Sequence, residues 1–376
     1  MKILIYILAA ILAISCNKTI DIKSKTIYSN LDHEHSIPTE KLFSKIEIIS
    51  LETNEQSLIQ SISKVIEYDS CLYILDSRQK AILIFDTTGK FISKIHTVGR
   101  ATSEYFLLYD IAINTYSKTL DALDPMGKII TYDLKGNYIS SIHLPHPPMA
   151  YHHISILNKD SILLHTEPRI TTDYTFRIFS RKVNSITKQY NNQQESIAWL
   201  MKGVLQVYKD TLYYSQAIIH HEVYKIIRDS LHHAYSWNFG KYSYDINKMQ
   251  LPDLTDPTEE MKFYKEVMYS SKIPYTFRFS RQNDQYYYCS IFMKEKMVHV
   301  FHNKMSKKDI VFSTMEENIG IYPLAIDHEK IIGITDDDWM PLSVLMNAKN
   351  ANISNPEVLK ELTDNSNPIL VKYYFK

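Results

Sequence analysis

The feature that most constrains this chain is a hairpin that occurs twice at a fixed offset. Ile84-Phe85-Asp86, Thr87-Thr88, Gly89-Lys90-Phe91 and the run to Ile95 match Thr131-Tyr132-Asp133, Leu134-Lys135, Gly136-Asn137-Tyr138 and the run to Ile142. From Asp86 to Asp133 is 47 residues, the length of one propeller blade and too long for a leucine-rich or ankyrin repeat. Alternating apolar positions make a half-buried strand. Asp-x-x-Gly then turns the chain, because glycine accepts positive φ, and a second alternating run returns. Before each hairpin lies a strand ending in Leu-Asp, Leu72–Asp76 and Leu120–Asp124, and before that a further run, Ser63–Tyr68 and Tyr109–Asn114. The pattern predicts two four-stranded antiparallel units.

Later copies keep the rhythm with more divergence. Ser161–His165 with Phe176–Phe179 marks a third unit, Thr211–Tyr214 with Val223–Ile226 a fourth, and Tyr286–Phe292 with Met297–His302 a fifth. Ile321–Asp327 and Lys330–Ile334 begin a sixth that lacks its outer strands. Two strand-like runs remain unassigned, Lys45–Leu51 and Ile369–Phe375. Together they are expected to complete the sixth unit, closing a ring of six so that no long sheet edge is left exposed. The expected fold class is therefore all-β, a six-bladed β-propeller with four-stranded blades. Two helical insertions are expected, one from Asp256 to about Ser271 and one from Asn355-Pro356 to Leu362, each with a capping residue before proline.

Composition agrees with this reading. The chain has 28 Tyr against 8 Gly, and aromatic residues favour pleated, half-buried surfaces. Apolar residues make up 45% and charged residues 22%, enough for a packed core. Lys plus Arg balances Asp plus Glu at 42 each, so no net positive field attracts a nucleic acid.

The N-terminus separates from the rest. Lys2 precedes an uncharged apolar run, Ile3 to Ile14, of signal-peptide length and too short to span a bilayer comfortably. It ends in Ala13-Ile14-Ser15-Cys16, which resembles the lipobox of bacterial lipoproteins. That resemblance implies a signal peptide over residues 1–16 and a diacylated Cys16 at the mature N-terminus, so that acyl chains hold the protein on a membrane without a spanning helix. Residues 17–40 are polar and aperiodic and are expected to tether the lipid to a single domain over residues 41–376. Cys71 and Cys289 fall in different repeats, within apolar runs, and are expected to be unpaired.

The lipobox, the Leu72–Asp76 and Ile84–Phe91 block and the link Val98-Gly99-Arg100 to Glu104-Tyr105 together resemble a family of six-bladed β-propeller lipoproteins of Gram-negative bacteria, related to NHL-repeat propellers. The resemblance implies a fold and an envelope location and carries over no catalytic residue.

Candidate chemistry is sparse. Three histidine pairs stand out, His152-His153, His220-His221 and His232-His233. Neighbours on a strand point to opposite faces, so one pair cannot chelate one metal, and ligands would have to come from different blades. His165 and His220 are the candidates for a metal ion in the central channel. Surface or hydrogen-bonded histidines are the simpler reading. Asp336-Asp337-Asp338 offers carboxylates without EF-hand spacing, and Tyr286-Tyr287-Tyr288 suits sheet packing or a stacking face for sugars. Nucleophile-elbow, phosphate-loop and HExxH motifs do not occur.

The expected function is accordingly a membrane-anchored binding or scaffold module of the cell envelope. Its partner is an envelope protein or a glycan or peptide ligand. A metal-dependent lyase or hydrolase centred on the channel is the alternative. Asn17-Lys18-Thr19 carries no acidic run of the kind that resembles a surface-export signal. A periplasm-facing outer-membrane position is expected, with surface display second.

Overall fold

The computed structural model describes residues 25–145, 151–166, 174–190, 203–215, 220–227, 230–243, 248, 252–253, 256–268, 270, 272–335, 340–348, 351–363 and 365–376. Two strands precede the repeats, β1 (Lys25–Tyr28) and β2 (Phe43–Ile49). Blade 1 is β3 (Lys64–Tyr68), β4 (Cys71–Asp76), β5 (Ala81–Asp86) and β6 (Phe91–Ile95). Blade 2 is β7 (Asp110–Asn114), β8 (Thr119–Asp124), β9 (Lys128–Asp133) and β10 (Tyr138–His143). Blade 3 is β11 (His153–Ile156), β12 (Ser161–His165), β13 (Phe176–Ser180) and β14 (Ser185–Tyr190). Blade 4 is β15 (Leu205–Tyr208), β16 (Thr211–Ser215), β17 (Glu222–Ile227) and β18 (Ser230–Asn238). Blade 5 is β19 (Tyr275–Gln282), β20 (Tyr286–Met293), β21 (Lys296–Asn303) and β22 (Asp309–Phe312). Blade 6 takes β23 (Pro323–Ile326), β24 (Lys330–Ile334) and β25 (Leu370–Phe375), with β2 as its outer strand in the order β2-β25-β24-β23.

The ring thus closes as expected. The last strand is held on both sides, Tyr373 opposite Ile46 on β2 and opposite Ile331 on β24. The amphipathic insertion forms a helix, α1 (Pro257–Met268), while the second is a 3₁₀ turn, Pro356–Glu361.

The two sequence signatures have separate jobs. In the first hairpin, Asp86 Oδ1 accepts from the Thr88 and Lys90 amides at 2.9 and 3.0 Å, and Gly89 sits at φ +94°. A Cβ on Gly89 would lie 2.1 Å from the Ser50 carbonyl oxygen, so the turn both needs positive φ and packs against the chain leaving blade 6. The Leu-Asp signature ends the second strand. Asp76 is fully buried and accepts from the Gln60, Ser61, Arg78 and Gln79 amides at 2.6–3.1 Å, stapling the incoming loop to its own turn. Asp124 repeats this in blade 2 with Phe106 and Met126.

One expectation changes. The segment read as a tether up to residue 40 is folded from Lys25 onward. β1 pairs in parallel with β18 and gives blade 4 a fifth strand. Ile27 and Leu31 are buried between blades 4 and 5, and Ile37 and Leu42 between blades 5 and 6. Four apolar side chains spaced through a polar segment are too few to show a period, yet each fills a seam between blades. Polar contacts complete the strap: Lys296 Nζ donates to Glu34 at 3.0 Å, and the Thr39 amide to Glu317 at 3.0 Å.

Candidate functional site

Inner strands of all six blades surround one cavity of about 830 Å³. Apolar and polar groups line it in about equal measure: Val65 and Ile66 of blade 1, Ile111 and Ala112 of blade 2 and Ile154 and Ile156 of blade 3 alternate with Lys64, Tyr68, Tyr109, Asp110, His153, Gln206 and Arg281.

Three of these polar groups meet where the inner strands of blades 1 to 3 begin. Lys64, Asp110 and His153 occupy equivalent register positions, facing Leu75, Leu123 and His165 on their second strands. Lys64 Nζ donates to Asp110 Oδ1 at 2.7 Å and to the Ile111 carbonyl at 2.7 Å. Asp110 Oδ2 accepts from the Ile154 amide at 2.9 Å and lies 3.8 Å from His153 Nδ1. Complete burial would push the Asp110 carboxyl up. The Lys64 ammonium, followed by His153, more than reverses this and sets its pKa at about 2.

Because that value is depressed, the cluster's stabilisation is present above the ordinary carboxyl pKa near 3.8 and is lost as pH falls from there toward 2. Integrated, the shift contributes about 2 kcal/mol. Asp110→Asn should remove that acid-sensitive increment, read as a flatter melting-temperature profile below pH 4.

His165 stands at the position of those two leucines. It is 1% exposed, and neither ring nitrogen makes a hydrogen bond among the described residues. Its ring packs instead on His153, Phe176 and Tyr214, with centroids at 5.4, 5.3 and 5.3 Å, roofing the seam between blades 3 and 4 with aromatic rings. Burial, then the neighbouring His153 and His152, holds its pKa well below the usual value, so the ring is neutral. His165→Leu restores the residue type of blades 1 and 2. It should stabilise the protein by about 1–3 kcal/mol by removing an unsatisfied buried donor and acceptor. A higher midpoint in urea at unchanged m-value checks this.

The remaining sequence candidates fall elsewhere. His220 is buried just before β17, and the charges acting on His165 come from His153, His152 and Asp110. Among the described residues no group of three or more His, Cys, Asp or Glu is placed to hold a metal ion. The first pair parts at the start of β11: His152, just before the strand, stacks on Tyr109 at 6.2 Å while His153 faces Asp110. Tyr286–Tyr288 packs inward, Tyr288 on Phe301 at 4.3 Å and Tyr287 on Tyr235 at 4.6 Å. Cys71 and Cys289 are free, in blades 1 and 5. Cys16 and Asp336–Trp339 lie outside the described residues.

Residues that sequence reasoning missed are Lys64, Asp110, Gln206 and Arg281. Arg281 of β19 is 7% exposed and lines the cavity, and burial lowers its pKa to about 9. Gln206 lines it too, its amide bonded to the Gln282 backbone at 2.9 and 3.0 Å, tying blade 4 to blade 5. The available signal was positional. Aligning the repeats brings Lys64, Asp110 and His153 into one column, a polar column at the start of an inner strand.

Solved structures share this architecture at low identity. A Bacteroides fragilis protein described as exported superposes with TM-score 0.73 at 13% identity, over 94% of this chain and 100% of that one. A DUF4221-family protein from Bacteroides vulgatus gives TM-score 0.53 at 12% identity, over 88% and 98%. These likenesses establish the fold alone. No curated protein matches the sequence. The family model described as a domain of unknown function, DUF4934, matches residues 18–374, from the polar segment after the lipobox-like motif through nearly the whole of β25. The chain belongs to the DUF4934 family.

Proposed function

We propose that this protein is a lipid-anchored, extracytoplasmic binding module whose ligand occupies the axial cavity. One observation carries the reading: a preformed cavity of about 830 Å³ whose lining mixes apolar surface with polar groups, Lys64, Asp110, His153 and Arg281 among them. Ligand sites have this size, roughly 300–1,000 Å³. The signal-like run before Cys16, the lipobox-like motif and a structural relative described as exported support a position outside the cytoplasm. None of the helices among the described residues is long and apolar enough to cross a membrane. In this reading the lipobox-like motif puts the anchor on Cys16, with the propeller facing the periplasm.

Two experiments test this. Ala112→Trp places an indole in the cavity, and ligands that raise the melting temperature of the wild-type protein should lose that effect. Unchanged shifts would remove the cavity from the reading. Cys16→Ser should move the protein from the membrane pellet to the soluble fraction, and retention in the pellet would end the lipid anchor.

A further inference from the structure

The two ends of the ring differ. Neighbouring strands of a blade are antiparallel, so the turns after its first and third strands share one end, while Lys64, Asp110 and His153, at the starts of their first strands, stand at the other. The N-terminal chain joins the ring from the turn end. β1 runs parallel to β18, which starts at the turn after β17, so Lys25 is the residue of β1 nearest that end. Lys25 Nζ donates to Tyr287 Oη at 3.1 Å, and Lys304 Nζ, from the turn between β21 and β22, lies 4.5 Å from the centre of the same ring. From Cys16 to Lys25 is nine residues, a reach of about 30 Å at full extension. A lipid on Cys16 therefore holds a membrane surface close to the turn end of blades 4 and 5.

What that end presents suits a bilayer surface. In each of blades 2 to 5 an exposed apolar side chain, in a turn or leading into it, neighbours lysine in sequence: Tyr116 and Lys118, Val183 and Lys182, Val207 and Lys209, Met305 and Lys307. Met305 is 90% exposed, more than any other large apolar side chain among the described residues. Its turn is well tied. Asn303 Oδ1 accepts from the Met305 and Ser306 amides at 3.0 and 2.8 Å, and the Lys304 amide donates to the Gln285 carbonyl of the neighbouring turn at 2.7 Å. The fold thus holds a methionine out into water, where an apolar phase would take it up.

The charges agree. Lysines outnumber Asp133, Asp160, Asp210, Asp284 and Asp309 across these turns. Lys209 is paired with Asp284 at 2.8 Å, and Asp309 with His302 at 2.7 Å. Lys118, Lys182 and Lys308 are exposed and meet no carboxylate within ion-pair distance among the described residues. On blades 6 and 1 the corresponding turns carry Asp69, Asp327 and Glu329, so the basic side is that of blades 2 to 5. The opposite end also shows apolar side chains, Leu58, Val98, Phe106 and Met126, each less than half exposed, but the N-terminal chain does not enter there.

We propose that the turn end of blades 2 to 5 lies against an anionic lipid headgroup surface, with Met305 entering it and the surrounding lysines at headgroup level. This rests on the lipid anchor at Cys16 and adds which face the anchored protein turns to the membrane. The end where Lys64, Asp110 and His153 meet then points away from the bilayer. Long lysine stems lie along the interface while their ammonium groups meet phosphate, and each lysine near an anionic surface strengthens the contact about fivefold.

The test uses full-length protein purified from membranes and reconstituted into vesicles of phosphatidylethanolamine and phosphatidylglycerol with a nitroxide on the lipid headgroup. Bimane is placed by Met305→Cys or, at the opposite end, by Met126→Cys, each with Cys71→Ser. Strong quenching at position 305 and little at 126 is expected. Exchanging phosphatidylglycerol for phosphatidylcholine should reduce quenching at 305, and so should Lys307→Glu with Lys308→Glu at an unchanged melting temperature. Equal quenching at the two positions, or more at 126, overturns the proposal. So does quenching at 305 that ignores phosphatidylglycerol, a result that stands even if the charge-reversed variant fails to fold. Protein that enters the vesicles with position 126 nearer the headgroups removes this inference and leaves the anchor. Protein that does not enter them removes both.

Discussion

Removal of Leu370–Lys376 is expected to unfold the entire protein in one cooperative step. β25 is the third strand of blade 6 and carries ladders to both β24 and β2. Without it β2 loses its ladder to blade 6 and keeps, among the described residues, only the bridge of Ile46 to Ile353, and the ring opens between blades 6 and 1. Leu370, Val371 and Tyr373 are each at most 1% exposed, and losing their burial costs about 5–9 kcal/mol at 1.5–3 kcal/mol per side chain. Whole domains are stable by about 5–15 kcal/mol. Lys372 adds a tie to the next blade, its Nζ 3.1 Å from Glu67 Oε2 on β3. The expected readout is loss of the thermal transition and of near-ultraviolet dichroism. A truncated protein that melts like the full chain would show that the ring does not depend on this closure.

The second large effect is placed at the joint of blades 2 and 3. Arg181 Nη2 lies 2.5 Å from Asp121 Oδ2, whose side chain is fully buried, and Thr131 Oγ1 donates to Asp121 Oδ1 at 2.7 Å. Arg181→Met strands a buried carboxylate and should cost about 3–5 kcal/mol. Adding Asp121→Leu removes the stranded charge, so the double variant should recover most of that loss. Urea unfolding of the two single variants and the double variant measures it. Additive losses in the double variant would show that the pair acts through packing and not through charge.

Much of the fold was legible because its determinants are local. The Asp86 and Asp133 hairpins, the Leu-Asp strand ends and the alternation of β25 each lie within a few residues of sequence. Antiparallel neighbours then follow from short connections. The N-terminal strap was not legible. Ile27, Leu31, Ile37 and Leu42 have no period, and what makes them core is the set of seams they happen to cross. The candidate site was partly legible. His165 was singled out by residue type, but its partners, His153, Phe176 and Tyr214, arrive from another strand of its blade, from across a loop and from the next blade.

By itself the sequence determined that this chain makes strands in groups of four, how often the groups repeat and which terminal segments close them, because hydrogen-bonded hairpins are encoded by alternation and turn residues. Only the tertiary structure decided how the seams between blades fill, and that Lys64, Asp110, His153 and Arg281 line one cavity. The reason is geometric: packing between sheets depends on the summed shapes of side chains from distant repeats, and no local pattern records that sum.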